Sequence, residues 1–217
     1  VVGNGSACVV GGHAYIIKKG QRFITNSAIA SMGYDLPAAI GAWTASRDKG
    51  CYCQGGDRSG DDLILVTGDG SMQMNLQELQ TIIHHRMGIK IFVINNGGYH
   101  SIRQTQKNFF GEPLIGIGVD SGDLSFPALD KLAAAYGYPY VSARHNSELG
   151  EAVEKTLAAE GPVICEVFVS MDQNFEPKSS AKRLPDVTMV SPPLEDLSPF
   201  LPDEEMDENM IIPRIKG

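Results

Sequence analysis

The chain has 217 residues, 42% hydrophobic and 20% charged, with a formal charge of −8 and a pI near 5.1. That balance suits one globular α/β domain with an attached tail, and it excludes nucleic acid as a partner, because phosphate-backbone binding needs clustered Lys and Arg. No apolar run approaches the roughly 20 residues that span a bilayer, no signal-peptide pattern stands at the start, and four cysteines are too few and too irregular for a disulfide framework; the expectation is a reduced, cytoplasmic protein with no membrane partner.

In chain order, Val1-Val2 runs directly into Gly3-Asn4-Gly5 and reads as the end of a strand whose beginning lies upstream, so a fragment of a longer protein is expected. Gly3-x-Gly5 also matches the opening of a dinucleotide fingerprint, but the third glycine is missing and no acid stands at the expected distance. Apolar β-rich runs recur at Arg22 to Asn26, Leu63 to Thr67, Ile89 to Asn95, Tyr138 to Ser142 and Val163 to Val169. The clearest helix follows Ser71, with Met72, Leu76, Leu79 and Ile83 on one stripe, Met72 and Met74 as core residues, and His84 and His85 closing it. Further helices are expected over Ala128 to Tyr136 and Asn146 to Glu160, the second capped by Asn146 or Ser147 and ended at Gly161.

Strands alternating with helices predict an α/β fold, a mostly parallel central sheet with helices on both faces. Arg47 to Asp62 is rich in Gly and Asp, lacks periodicity and reads as a surface insertion; its Cys51-x-Cys53 pair has no second pair nearby to complete a zinc site. From about Ser180 the chain is punctuated by proline, and the acidic run Asp203-Glu204-Glu205 reads as a solvated face. The expected division is a domain over 1–180 and a tail or lid over 181–217.

The chemistry concentrates at two strand ends. Leu63-Ile64-Leu65-Val66-Thr67 runs into Gly68-Asp69-Gly70-Ser71, placing an acid between two glycines where a strand meets a helix N-terminus, a setting that favours phosphate. A lone carboxylate would repel a diphosphate, so the pairing makes sense with a cation between them. The second cluster, Asn95-Asn96-Gly97-Gly98-Tyr99, ends the next strand. The 24 residues from 71 to 94 suffice for one helix and one returning strand, so the clusters meet at adjacent strand ends. The Asp69 carboxylate, the Asn96 side-chain oxygen and the Gly98 carbonyl then supply three hard oxygen ligands of an octahedral magnesium site. Taken separately, GDG and NNG are each ordinary turn signals.

This GDG-x24-NN pattern resembles that of thiamine-diphosphate enzymes, and the chain resembles the C-terminal cofactor-binding domain of the acetolactate synthase-like family from about Gly3 to the tail. Ala30-Ser31-Met32-Gly33-Tyr34-Asp35-Leu36-Pro37-Ala38-Ala39-Ile40-Gly41-Ala42 is similar to the family stretch at the aminopyrimidine ring. The resemblance implies that Met32 is the wedge under the bent cofactor and that the Ala30 carbonyl accepts from its amino group, although the family usually has Gly at the Ala30 position. It implies diphosphate contacts from Gly5 and Ser6 on one side and from the backbone around Gly68, Gly70 and Ser71 on the other, with Tyr99 and Ser101 as further cofactor contacts.

The implied activity is decarboxylation of a 2-ketoacid and ligation of the remaining fragment to an acceptor carbonyl, with thiamine diphosphate and Mg²⁺ as cofactors and FAD admissible through another domain of the full-length protein. The catalytic Glu of the family belongs to a separate N-terminal pyrimidine-binding domain of a neighbouring subunit, and no segment here resembles it. A homodimer or homotetramer of the full-length protein is therefore implied, with this chain inactive alone. Two positions depart from the pattern. Related pyruvate decarboxylases carry a Glu six residues after the metal-binding Asn, where this chain has Ile102, which disfavours a simple decarboxylase. Acetohydroxyacid synthases carry Trp at the position of Thr105, which leaves the acceptor open. His100 has two readings, a substrate-facing group or a structural hydrogen bond. The rival readings are a non-catalytic cofactor-binding or nucleotide-binding module and a non-ligating 2-ketoacid decarboxylase of the same superfamily.

Overall fold

A computed structural model describes residues 1–47 and 63–214. The expected insertion, including Cys51 and Cys53, lies outside the described residues apart from Arg47. The chain falls into two compact units, Val1–Gln173 and Asn174–Gly217.

In the first unit, four strands, β1 (Leu63–Gly68), β2 (Ile89–Asn95), β3 (Tyr140–Ala143) and β4 (Val163–Phe168), form one sheet in the order β1-β2-β4-β3. All three pairings are parallel. Buried β2 and β4 are nearly continuous apolar runs because a parallel sheet is covered on both faces. Around the sheet lie α1 (Ser6–Ala14), α2 (Asp35–Arg47), α3 (Asp69–Gln73), α4 (Glu78–His84), α5 (His100–Phe109), α6 (Leu129–Tyr136) and α7 (Asn146–Ala158). Helix α2 packs on β1, and α7 on β3 and β4. The main core joins Leu36, Leu65, Leu79, Ile82, Ile89, Ile91, Val93 and Ile164, all fully buried. Val2 bridges Val66 in parallel, so the first residues extend the sheet beyond β1.

The structure corrects several local expectations. Arg22 to Asn26 is not a strand; the Val2 N–H donates to the Ile24 carbonyl at 2.9 Å, and no ladder is built there among the described residues. The helix after Ser71 starts two residues earlier, at Asp69, and is broken into α3 and α4 by turns over residues 74–77. Met74 consequently leaves the buried stripe and is 46% exposed, while Met72 stays in the core. Helix α7 is capped one residue earlier than expected, at His145, with the Glu148 carboxylate accepting from the Arg144 and His145 N–H groups. Buried Lys90 reaches the Ala159 and Gly161 carbonyls past the other end of α7, so its charge meets the orphan acceptors of a helix terminus.

The second unit holds an antiparallel pair, β5 (Lys182–Arg183) and β6 (Met189–Val190), and one helix, α8 (Asp203–Asn209). The acidic run Asp203-Glu204-Glu205 forms the exposed first turn of α8, where negative charge suits the helix dipole. Arg214 pairs with Asp203 and Asp207. Among the described residues no helix is long and apolar enough to cross a membrane.

Candidate functional site

The parallel register that sets Gly68 opposite Ile94 brings the ends of β1 and β2 side by side. Asp69 and Asn96 follow directly, and both line a cleft of about 360 Å³ open to solvent, together with Asn4, Gly5, Ser6, Met32, Gly68, Gly70, Ser71, Gly98, Tyr99, His100, Ser101 and Ile102. Of the residues singled out from the sequence, Ala30 alone lies outside that lining. It is exposed, with φ 56°, a left-handed conformation natural to glycine.

Asp69 is 9% exposed. Its Oδ1 accepts from the Gly70 N–H at 2.8 Å and its Oδ2 from the Gly98 N–H at 3.0 Å. Burial nevertheless dominates and pushes its carboxyl up to about 6, the state of an acid short of positive charge. The Gly70 N–H is thus engaged by Asp69. Asn96 is 5% exposed, and its Nδ2 donates to Ser6 Oγ at 2.7 Å. That bond fixes the amide and leaves Oδ1 as its acceptor end.

Among the described residues no three His, Cys, Asp or Glu side chains are grouped for a metal ion. A cation here would rest on one carboxylate and neutral amide and carbonyl oxygens, which is magnesium-like chemistry rather than zinc-like. The donor set and the under-compensated carboxylate both fit such an ion.

The other walls come from separate elements. Helix α1 starts at Ser6 behind Gly5, whose φ of 100° is one that L side chains rarely adopt; its unpaired N–H groups and dipole suit an anion. The Met32 loop is tied down on both sides. Asn4 Nδ2 donates to the Ser31 carbonyl at 2.7 Å, the Gly33 N–H to Ser71 Oγ at 2.9 Å, and Asn75 Nδ2 to the Gly33 carbonyl at 2.6 Å. Tyr99 stands so close to Gly70 that a Cβ there would sit 2.4 Å from its ring. His100 is 4% exposed, with Nδ1 3.4 Å from Arg103 Nη1, the geometry of a structural contact within the cleft wall.

Nothing in the sequence singled out Asn4, Asn75 or Arg103, which tie down the Met32 loop and contact His100. Asn4 sat inside a motif weighed only for its glycines. The others were invisible because nothing in their local sequence marks what they touch.

These features define a class: a parallel α/β domain with a polar cleft at the carboxyl ends of its strands, the usual ligand position in such sheets. Residues 3–167 match the family model described as "Thiamine pyrophosphate enzyme, C-terminal TPP binding domain", and the chain belongs to that family. It is 31% identical over 157 residues to the acetolactate synthase of Arthrospira platensis, covering 72% of this chain and 24% of that protein. It is 33% identical over 156 residues to the acetolactate synthase large subunit of Cyanidium caldarium, with 72% and 24% covered. It is 29% identical over 157 residues to acetolactate synthase isozyme 2 large subunit of Escherichia coli, with 72% and 26% covered. The chain thus spans about a quarter of the length of these relatives.

Proposed function

We propose that this chain holds thiamine diphosphate through Mg²⁺ bound by Asp69, Asn96 and the Gly98 carbonyl, as the C-terminal domain of an acetolactate synthase-like enzyme. The observation that supports the reading is that Asp69, Asn96 and Gly98 line one cleft at the paired ends of β1 and β2, together with Gly5 and Ser6 at the start of α1. Gly5 and Ser6 approach the diphosphate from α1, Gly68 and Ser71 from the β1–α3 turn, and Tyr99 and Ser101 from the start of α5. Met32, which lines the cleft, would support the bound cofactor's conformation, and the Ala30 carbonyl, outside that lining, would have to reach the aminopyrimidine from the cleft's edge. Bound thiamine diphosphate supplies the nucleophilic carbon and electron sink of ketoacid decarboxylation. The chain's own residues anchor, orient and neutralise.

The whole enzyme decarboxylates a 2-ketoacid and ligates the fragment to an acceptor carbonyl. Ile102, 45% exposed at the cleft, offers no acid where a simple decarboxylase would carry one. The pyrimidine-binding domain and its Glu come from a neighbouring subunit, in a homodimer or homotetramer working in the cytoplasm, and any FAD binds elsewhere in the full-length protein.

A thermal-shift comparison tests the binding reading, because a ligand specific to the folded state raises its melting temperature by mass action. Thiamine diphosphate with Mg²⁺ raises it, and NAD does not. A shift with NAD and none with thiamine diphosphate would select the nucleotide-binding alternative. Turnover of a 2-ketoacid by the full-length protein separates the enzyme from a non-catalytic module.

A further inference from the structure

The turn that would hold the cation is poorly suited to hold itself. Gly97 and Gly98 both have positive φ, 68° and 138°, and two adjacent glycines lose more conformational freedom on ordering than any other pair. Something outside the turn must fix it. Arg103, one turn into α5, is 1% exposed. Its Nη1 donates to the Asn96 carbonyl at 3.1 Å and its Nη2 to the Gly97 carbonyl at 3.0 Å.

The guanidinium is itself held by a two-pronged pair with Asp120, Nε to Oδ2 at 2.7 Å and Nη2 to Oδ1 at 2.9 Å. Asp120 follows a strand-like segment that clamps the turn from its other side. The Tyr99 N–H donates to the Ile117 carbonyl at 2.7 Å, and the Val119 N–H to the Gly97 carbonyl at 3.3 Å. The Gly97 carbonyl therefore serves two donors and the Asn96 carbonyl faces the guanidinium. The Gly98 carbonyl receives the His100 N–H at 3.1 Å, and a carbonyl oxygen has a second lone pair.

We propose that Arg103 and Asp120 act together as positioning residues for the cation-binding turn, turning the Asn96 and Gly97 carbonyls away and presenting Gly98 and the Asn96 side chain to the metal. This rests on the reading of Asp69, Asn96 and Gly98 as ligands. Lys cannot replace Arg here, since the four acceptor atoms, two carbonyls and both Asp120 oxygens, exceed the three donors of an ammonium and match the guanidinium fork.

The test titrates thiamine diphosphate into the full-length protein at a series of Mg²⁺ concentrations and reads the Mg²⁺ level at half-saturation. Melting of the unliganded protein is followed in parallel. Asp120→Ala and Arg103→Lys should raise the Mg²⁺ requirement about ten-fold or more, the usual effect of losing a partner that orients metal ligands, and Asp120→Glu should recover part of it. Asp120 has a side chain 22% exposed, so water can replace it if Arg103→Lys does not fold. An unchanged Mg²⁺ requirement in Asp120→Ala, whatever its melting temperature, overturns the proposal and leaves a purely structural ion pair. Wild-type binding that ignores Mg²⁺ overturns the ligand reading itself, and this inference with it.

Discussion

Asp69 is a carboxylic acid buried in the cleft wall. Burial raises its carboxyl from 3.8 to about 6, so the folded chain holds this proton more tightly than the unfolded chain does. The sign follows: without ligand, its contribution lowers stability as pH rises from about 4 to about 6, and the full cost, on the order of 3 kcal/mol, stands above that. Denaturant melts of the unliganded protein between pH 4 and 7 should show this falling component, and Asp69→Asn should remove it. Equal pH slopes in the two proteins would contradict the burial. A cation needs the ionised carboxylate, so Mg²⁺ affinity should decline as pH drops through about 6. At the same scale, Met32→Ala should lower turnover of the full-length enzyme more than cofactor affinity, because a wedge under the ring bridge contributes little to holding the diphosphate. An unchanged turnover number would remove that role.

Between elements, the antiparallel bridge of Gly98 with Gly118 braces the turn after β2. A Cβ on Gly118 would lie 2.0 Å from the Gly97 carbonyl oxygen, and that obstacle is backbone rather than a flexible side chain. Gly118→Ala should therefore destabilise the fold by roughly 1–3 kcal/mol and weaken thiamine-diphosphate binding together with it; a neutral substitution by both measures would show that the two segments do not pack this closely. Strands β1 and β2 were legible because buried parallel strands are written as apolar runs, and their ends were marked by an acid and an amide among glycines. Helix α5 was not, since His100-Ser101-Ile102-Arg103-Gln104-Thr105-Gln106 shows almost no apolar stripe. Arg103 reads locally as a surface cation, and its partner Asp120 is 17 residues away. Arg22 to Asn26 failed in the opposite sense: despite its β-rich composition, its contact with the extended first residues is the Val2 N–H to Ile24 carbonyl bond, and no ladder forms there among the described residues.

For the molecule as a whole, the coverage of 24% of the Arthrospira platensis relative bears on activity. On the proposed reading the cleft would anchor a diphosphate, while among its lining residues Asp69 is the one carboxylic acid, and that acid is assigned to the cation. The 217 residues alone should therefore fold without turning over a 2-ketoacid, since a missing acid–base partner removes roughly 10²–10⁴ in rate. Adding the N-terminal domain, in cis or in trans, should restore turnover, and acetolactate formed from pyruvate by the chain alone would mean that an acid among these residues does the work.

In the proposed site a cation held by Asp69 joins thiamine diphosphate to the strand ends. Calorimetric titration of thiamine diphosphate into the full-length protein, with Mg²⁺ and again with chelator, in wild type and Asp69→Ala, tests it most directly. Wild type should bind saturably with Mg²⁺ and lose that binding with chelator, and Asp69→Ala should not bind although it remains folded. Binding of equal strength by Asp69→Ala, or by wild type in chelator, would contradict it.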